Sequence, residues 1–216
     1  MALLRPDLRE EMALYRRGYR LVAGLDEAGR GSWAGPVVAG AVILPLGHDG
    51  LAQALDGVRD SKELSPLERE RLYNVIQTEA LAVGVGIVPP GQIDKLGIVP
   101  ATKEAMALAI ARLPSTPHFL LVDFLGLPRL NYPQKSIVHG DALSLSIAAA
   151  SIIAKVSRDR FMIALDSQYP GYGFASHKGY GTPQHRAALD RLGPSPIHRF
   201  SYAPVRAAMQ GPKAES

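Results

Sequence analysis

The sequence predicts an α/β domain with a mixed five-stranded sheet flanked by helices. Three features carry that prediction. Three apolar, β-prone runs lie close together early in the chain, helical runs then alternate with short apolar runs, and a long stretch of small apolar residues follows. A chain of 216 residues, 47% hydrophobic and 20% charged, can bury such a core as one large domain or as one domain with a small appendage.

Leu3 to Arg17 is a short polar helix with few apolar contacts. Tyr19–Leu25, Val37–Leu44 and Leu81–Val88 are the early strands, the first two separated by glycines and Pro36. Between the second and third, Ser65-Pro66-Leu67-Glu68 has the form of an N-cap with proline at the first helical position, opening a helix to Ala80. Thr102–Leu113 is a second helix, stopped by Pro114. Phe119–Val122 is a compact strand running into Asp123, and Ser136–Val138 is the fifth, running into His139-Gly140-Asp141. Ala142–Ser167 is the longest helix, and its small apolar residues imply close packing on nearly every side. The expected organisation is an N-terminal helical extension over 1–18, a sheet domain over 19–167, a helical C-terminal part over 168–208 and a disordered tail over 209–216.

No uncharged apolar run approaches the roughly 18 to 20 residues that span a bilayer. The opening MALLRPDLREEMALYRRGYR is charged throughout rather than signal-like, so no membrane partner is expected and the cytoplasm is the expected compartment. Without cysteine, any metal must rest on oxygen or imidazole ligands. The net charge of +4 is concentrated: nine basic residues lie between Lys155 and Lys213 against three acids, interleaved with Tyr172, Phe174, Tyr180, Phe200 and Tyr202. Such a segment is either a nucleic-acid surface or a basic surface over core aromatics.

Asp26 and Glu27 stand where Leu21-Val22-Ala23-Gly24-Leu25 breaks into Ala28-Gly29-Arg30-Gly31. Carboxylates ending a buried strand ask for a cation, and a divalent metal facing a phosphate meets that need; a solvated strand end is the alternative. The glycines allow backbone N–H groups to approach a ligand closely. Asp123 ends a second buried strand, and Asp141 stands at the start of the long helix, where it also reads as an ordinary N-cap. If the strands of Asp26 and Asp123 are parallel neighbours, both residues reach the sheet edge where open α/β sheets bind ligands. Like charges about 4 Å apart repel by about 4 kcal/mol near a protein surface, so such a cluster needs neutralising. Hard oxygen donors select Mg²⁺ or Mn²⁺. Because adjacent strand residues face opposite ways, Glu27 joins Asp26 only if the strand ends or bulges there.

From about Arg20 to about Val205 the sequence resembles the ribonuclease HII family. The resemblance rests on Val22-Ala23-Gly24-Leu25-Asp26-Glu27-Ala28-Gly29-Arg30-Gly31, on Asp60-Ser61-Lys62, and on Gly140-Asp141 followed by Ile147 to Val156. Further matches are Arg158-Asp159, Tyr172-Gly173-Phe174, His177 to Thr182, and His198-Arg199. It implies a ribonuclease H-like sheet with a helical, substrate-binding C-terminal extension. Asp26, Glu27, Asp123 and Asp141 match the family's four catalytic, metal-holding carboxylates. Gly29-Arg30-Gly31 matches the turn whose backbone reads a ribose 2′-OH, and Tyr180 the tyrosine that packs on the next sugar and favours deoxyribose. A 2′-OH is what separates RNA from DNA at one position, and an aromatic face leaves no room for another hydroxyl. Lys62 and Lys155 match phosphate or site-ordering contacts, although Lys155 reads equally well as a snorkelling helix lysine.

The implied reaction is metal-dependent endonucleolytic cleavage 5′ to a ribonucleotide, in RNA·DNA hybrids and at single ribonucleotides in duplex DNA. It would use two Mg²⁺ or Mn²⁺ ions in the substrate complex and leave 5′-phosphate and 3′-OH ends; the chain is expected to act as a monomer. Four departures stand out. Phe124 replaces the usual Gly after Asp123, so a glycine-only backbone conformation is not expected there, and His139 replaces the usual Lys before Gly140. Ser32-Trp33 replace Pro-Leu, and Gly97 stands where Asn is frequent. Rival readings are the sister class ribonuclease HIII, a non-catalytic nucleic-acid module, a Rossmann domain and a zinc hydrolase. Arg30 and the short N-terminus argue against the first. The module predicts no need for carboxylates, the glycines do not fit G-x-G-x-x-G, and no histidines stand at ligand spacing.

Overall fold

The computed structural model describes residues 5–210. Five strands form one sheet, β1 (Val22–Ala28), β2 (Val37–Ile43), β3 (Ala82–Val88), β4 (Phe119–Asp123) and β5 (Gln134–Ile137), in the order β3-β2-β1-β4-β5. The first three make an antiparallel meander, while β4 joins the other side of β1 in parallel and β5 pairs parallel to β4. The mixed sheet is thus as the sequence predicts.

Strand alternation divides the core. Ala23 and Leu25 of β1 pack towards α5 (Ile98–Ala111), whereas Val22 belongs with Ile147, Ala150 and Ile153 of α6 (Leu145–Gln168). Helix α6 approaches closely because Gly24 and Gly40 lie under it; a Cβ on either would overlap the backbone of Ser146 or Ala150. Helix α3 (Pro66–Glu79) lies beside α6 and carries the expected cap, completed as a reciprocal capping box between Ser65 and Glu68. A separate apolar cluster joins Ala34, Met162 and Tyr172 to Phe174 and Ala188 of the C-terminal helices α7 (Phe174–His177) and α8 (Pro183–Leu192). No helix among the described residues is long and apolar enough to cross a membrane.

Several boundaries differ from expectation. Strand β1 neither ends nor bulges at its carboxylates: its pairing with β2 runs unbroken through Asp26↔Gly40, Glu27↔Ala39 and Ala28↔Val38. Helix α5 starts at Ile98, because Pro100 in its first turn lacks only an N–H that would have no partner there. Gly97, at φ 79°, separates it from α4 (Pro90–Leu96), a helix the sequence pattern does not signal. Helix α6 is capped by Ser144, whose hydroxyl accepts from Ile147 N–H at 3.3 Å; Asp141 lies earlier, in a 3-10 turn over Gly140–Ala142, and is not the cap.

The N-terminal helix α1 (Arg9–Arg16) is shorter than predicted, and Leu3 and Leu4 lie outside the described residues. It does more than pack. Its buried Glu11 accepts through Oε1 from Ser144 Oγ (2.6 Å), Ser146 N–H (2.8 Å) and Ser146 Oγ (2.7 Å), placing a carboxylate at the positive end of α6. At the other terminus Met209 closes α9 (Ala203–Met209); the rest of the expected tail, 211–216, lies outside the described residues.

Candidate active site

Parallel pairing of β1 and β4, in register from Val22↔Phe119 to Leu25↔Val122, carries Asp26 and Asp123 to the same edge of the sheet. Asp123 Oδ1 accepts from Gly140 N–H at 2.7 Å, which ties the end of β4 to the turn that holds Asp141. Asp141 Oδ2 lies 3.4 Å from Lys62 Nζ, which is also 3.6 Å from Asp60. Asp26 accepts from Glu27 N–H at 2.6 Å, and Glu27 Oε1 from Arg30 Nη1 at 3.1 Å. Glu27 Oε2 is buried with no hydrogen-bond partner. The two adjacent carboxylates leave the strand on opposite faces, yet at the sheet's end they stay close enough to repel.

The charges are under-compensated. Burial, then Glu27, Asp123 and Asp141, pushes the Asp26 carboxyl well above its ordinary range. Burial also raises Glu27, with Arg30 working against it, and raises Asp123, with the Gly140 N–H working against it. Lys62 is raised: Asp60, Asp141 and Asp26 outweigh its desolvation. Two cations, Lys62 and Arg30, thus serve four carboxylates. Among the described residues no three of these side chains converge on one point as a finished metal cage; they form a charge cluster around a cleft. The unpartnered Glu27 oxygen, the raised Asp26 and the all-oxygen donor set nevertheless fit a hard divalent cation.

That cleft, of about 630 Å³, is lined by Asp26, Glu27 and Asp123 together with Gly29-Arg30-Gly31, Lys62, Arg69, Lys155 and Tyr180; Asp141, paired with Lys62, is not among its lining residues. Lys155 is neither free nor snorkelling, since Nζ pairs with Asp159 at 2.8 Å and lies 5.5 Å from the Tyr180 ring centroid. The Arg158 guanidinium stands 5.2 Å from the same ring. Tyr180 is held by its backbone, its N–H donating to His177 O at 2.9 Å and its carbonyl accepting from His185 Nδ1 at 3.0 Å.

Behind it the hydrogen bonds fix three neutral histidines. Ser195 N–H donates to His198 Nδ1 (2.9 Å), so His198 Nε2–H donates to His185 Nε2 (3.0 Å), leaving His185 Nδ1–H for Tyr180. His177 accepts from Gly179 N–H and donates to Tyr172 O. Burial pulls His185 and His198 down to about 4, with repulsion from neighbouring imidazoles adding to it.

The segment from Lys155 onward is mixed: Tyr172, Phe174, the three histidines, Arg158 and Arg199 are buried, Arg160, Arg186, Arg191 and Arg206 are exposed, and Lys155 and Tyr180 reach the cleft. Phe124 and His139 adopt φ of 53° and 54°, contrary to the expectation for Phe124. The left-handed conformation costs about 1 kcal/mol or more without glycine, and the Phe124 N–H is held by Ile137 O at 3.0 Å. Trp33 packs on Gly181 beneath the Arg186 guanidinium, 4.7 Å away. Sequence reasoning missed Arg69, which binds the Ser61 and Leu64 carbonyls at the cleft margin, and gave no role to Arg158 and Arg199. The available signal, for Arg158 alone, was an arginine in the long helix rich in small and apolar residues.

The fold recurs in solved proteins. Ribonuclease H2 from Pyrococcus horikoshii OT3 superposes with a TM-score of 0.71 at 28% identity, covering 88% of this chain and 97% of that one. The fold and the acidic sheet edge define a ribonuclease H-type endonuclease. Residues 23–205 match the family model described as Ribonuclease HII. Ribonuclease HII of Chloroflexus aggregans is 57% identical over 203 residues, 93% of this chain and 94% of its own; that of Geobacter sulfurreducens is 55% identical over 191, covering 88% and 86%. The chain belongs to the ribonuclease HII family, whose endonucleases act on RNA paired with DNA.

Proposed function

We propose that the chain hydrolyses the phosphodiester on the 5′ side of a ribonucleotide, in RNA·DNA hybrids and at single ribonucleotides in duplex DNA, and so removes misincorporated ribonucleotides. The observation that carries this reading is one cleft lined both by under-neutralised carboxylates and by a glycine turn and an aromatic ring. Asp26, Glu27, Asp123 and Asp141 are the residues that would hold Mg²⁺ or Mn²⁺. A pair of such ions, once bound, supplies Lewis-acid stabilisation of the phosphate and lowers the pKa of the attacking water.

The chain's own groups orient the substrate. Gly31 supports sugar reading, because nothing lies within 4 Å of where its Cβ would stand, leaving the backbone open to a ligand. Tyr180, backed by two cations, offers its face to the following sugar, where a second 2′-OH would collide. Lys62, largely exposed beside Asp141, is available to a phosphate oxygen. Water attacks phosphorus, the P–O3′ bond breaks, and the departing oxygen takes a proton; the ribonucleotide keeps its 5′-phosphate and the preceding nucleotide ends in 3′-OH. The 2′-OH is recognised and is not the nucleophile.

Asp123→Asn tests the assignment: cleavage falls by about 10³-fold, the scale of losing one key electrostatic group, while substrate affinity stays near wild type. Near-normal turnover in that variant removes Asp123 from the chemistry.

A further inference from the structure

Two arginines, Arg158 on α6 and Arg199 before α9, are completely buried, and none of their hydrogen-bond partners is a carboxylate. Burying a cation without a counter-ion costs several kcal/mol unless its donors are well used. Apart from Arg158 Nη1, which is buried without a partner, these donors are spent on one short segment and on Tyr202. Arg199 Nη2 donates to Gly29 O at 2.6 Å and Pro36 O at 3.1 Å, Nη1 to Arg30 O at 2.9 Å, and Nε to Gly35 O at 3.0 Å. Tyr202 Oη donates to the same Arg30 carbonyl at 2.8 Å and accepts from Arg199 Nη1 at 3.0 Å. Ser32 Oγ donates to Gly29 O at 2.8 Å and accepts from Arg158 Nη2 at 2.7 Å. Ser32, one of the positions where this chain departs from its family, therefore links the second arginine to the same carbonyl.

The consequence is directional. All peptide bonds among the described residues are trans, and in a trans peptide the N–H points opposite to the C=O. Drawing the Gly29 and Arg30 carbonyls inward onto Arg199 turns the N–H groups of Arg30 and Gly31 outward, towards the cleft that this turn lines. Neither N–H has a partner among the described residues. Successive outward amides form a concave donor site for an oxygen ligand. Gly29, at φ 93°, completes the arrangement, since a Cβ there would overlap the Arg158 guanidinium.

We propose that Arg199, assisted by Tyr202 and by Ser32 linked to Arg158, is the positioning residue that aims the Arg30 and Gly31 amides at the ribose 2′-OH. The inference rests on the reading above that this turn recognises that hydroxyl. It makes Arg199 a determinant of ribose specificity that never touches substrate, and it distinguishes a guanidinium from an ammonium, because only a planar fork reaches several carbonyls at once.

The test is equilibrium binding in EDTA, so that no turnover is involved, to three otherwise identical duplexes carrying ribo, deoxy or 2′-fluoro sugar at one position. Wild type binds the ribo duplex about tenfold tighter than the deoxy duplex, as one or two neutral hydrogen bonds allow, and the 2′-fluoro duplex close to the deoxy one. Arg199→Lys brings the ribo-to-deoxy ratio to within about twofold while leaving deoxy affinity unchanged, and Tyr202→Phe narrows it by about two- to threefold. A merely structural arginine lowers the folded fraction and moves both affinities together, leaving their ratio intact. Should Arg199→Lys fail to fold, Tyr202→Phe decides. A wild-type ratio that survives in the folded variants overturns the inference alone; a wild type that binds ribo and deoxy duplexes equally overturns the 2′-OH reading and the inference with it.

Discussion

Two sets of residues around the cleft, a carboxylate wall at the end of the sheet and a backing wall from the C-terminal segment, follow opposite electrostatic rules. On the sheet side, four carboxylates meet two cations, one Glu27 oxygen has no partner, and Asp26 is driven well above the usual carboxylate range by burial and by its neighbours. On the C-terminal side, two buried guanidiniums and three neutral histidines spend nearly every donor and acceptor on backbone groups or on one another. The first wall keeps charge unsatisfied and so is prepared for cations and phosphate. The second, apart from Arg158 Nη1, is satisfied internally, and it fixes the backbone of the glycine turn and of Tyr180. On the proposed function, capture and chemistry belong to the wall that is electrostatically incomplete, and discrimination to the wall that is rigid.

Removing the reading face without touching the carboxylates separates the walls most sharply. Tyr180→Ala is expected to lower cleavage at a single embedded ribonucleotide by about 10- to 100-fold, the range of one lost aromatic contact, while cleavage within a long RNA·DNA hybrid falls much less. Steady-state rates on the two substrates check this, and an unchanged rate at the single ribonucleotide makes Tyr180 a packing residue.

A smaller effect comes from pH, where the walls respond with opposite sign. The folded-state carboxyls of Asp26, Glu27 and Asp123 are raised, so their stabilising contribution is present below the ordinary values of 3.8 and 4.5 and is lost as pH rises through the raised ones. Metal relief of this repulsion is therefore larger at high pH: Mg²⁺ raises Tm more at pH 8 than at pH 6, by a few degrees where about 2–4 °C corresponds to 1 kcal/mol. His185 and His198, lowered to about 4, contribute stability that is complete above 6.5 and lost as pH falls towards 4. Imidazole resonances of both rings should stay neutral down to about pH 5, and titration near 6.5 breaks the contrast.

Much of the carboxylate wall was legible in the sequence, because strand-terminal Asp26 and Asp123 need only a parallel pairing to meet, and β-prone runs predict strands well. The strand's unbroken passage through Glu27 was not legible, since it depends on β2 continuing alongside as far as Val38. Nor was the cap of α6: Asp141 and Ser144 are both good capping residues, and only the 3-10 turn that takes up Asp141 decides. The second wall was the harder to read. Motif matching finds Tyr180 and His198-Arg199, but contacts such as Arg199 to Gly29, separated by 170 positions, leave no trace in local spacing. The basic, aromatic-rich segment, readable as a binding surface or as a basic surface over core aromatics, divides between the two: Arg158, Arg199 and three histidines are turned inward, while Arg160, Arg186, Arg191 and Arg206 are exposed.

The measurement that bears most directly on the division between the walls is cleavage of a labelled DNA duplex containing one ribonucleotide, in Mg²⁺, in Mn²⁺ and in EDTA, beside an all-DNA duplex. Cutting immediately 5′ of the ribonucleotide, abolished by EDTA and absent from the all-DNA duplex, is the predicted result. Cutting that persists in EDTA, or that falls elsewhere than at the ribonucleotide, contradicts it.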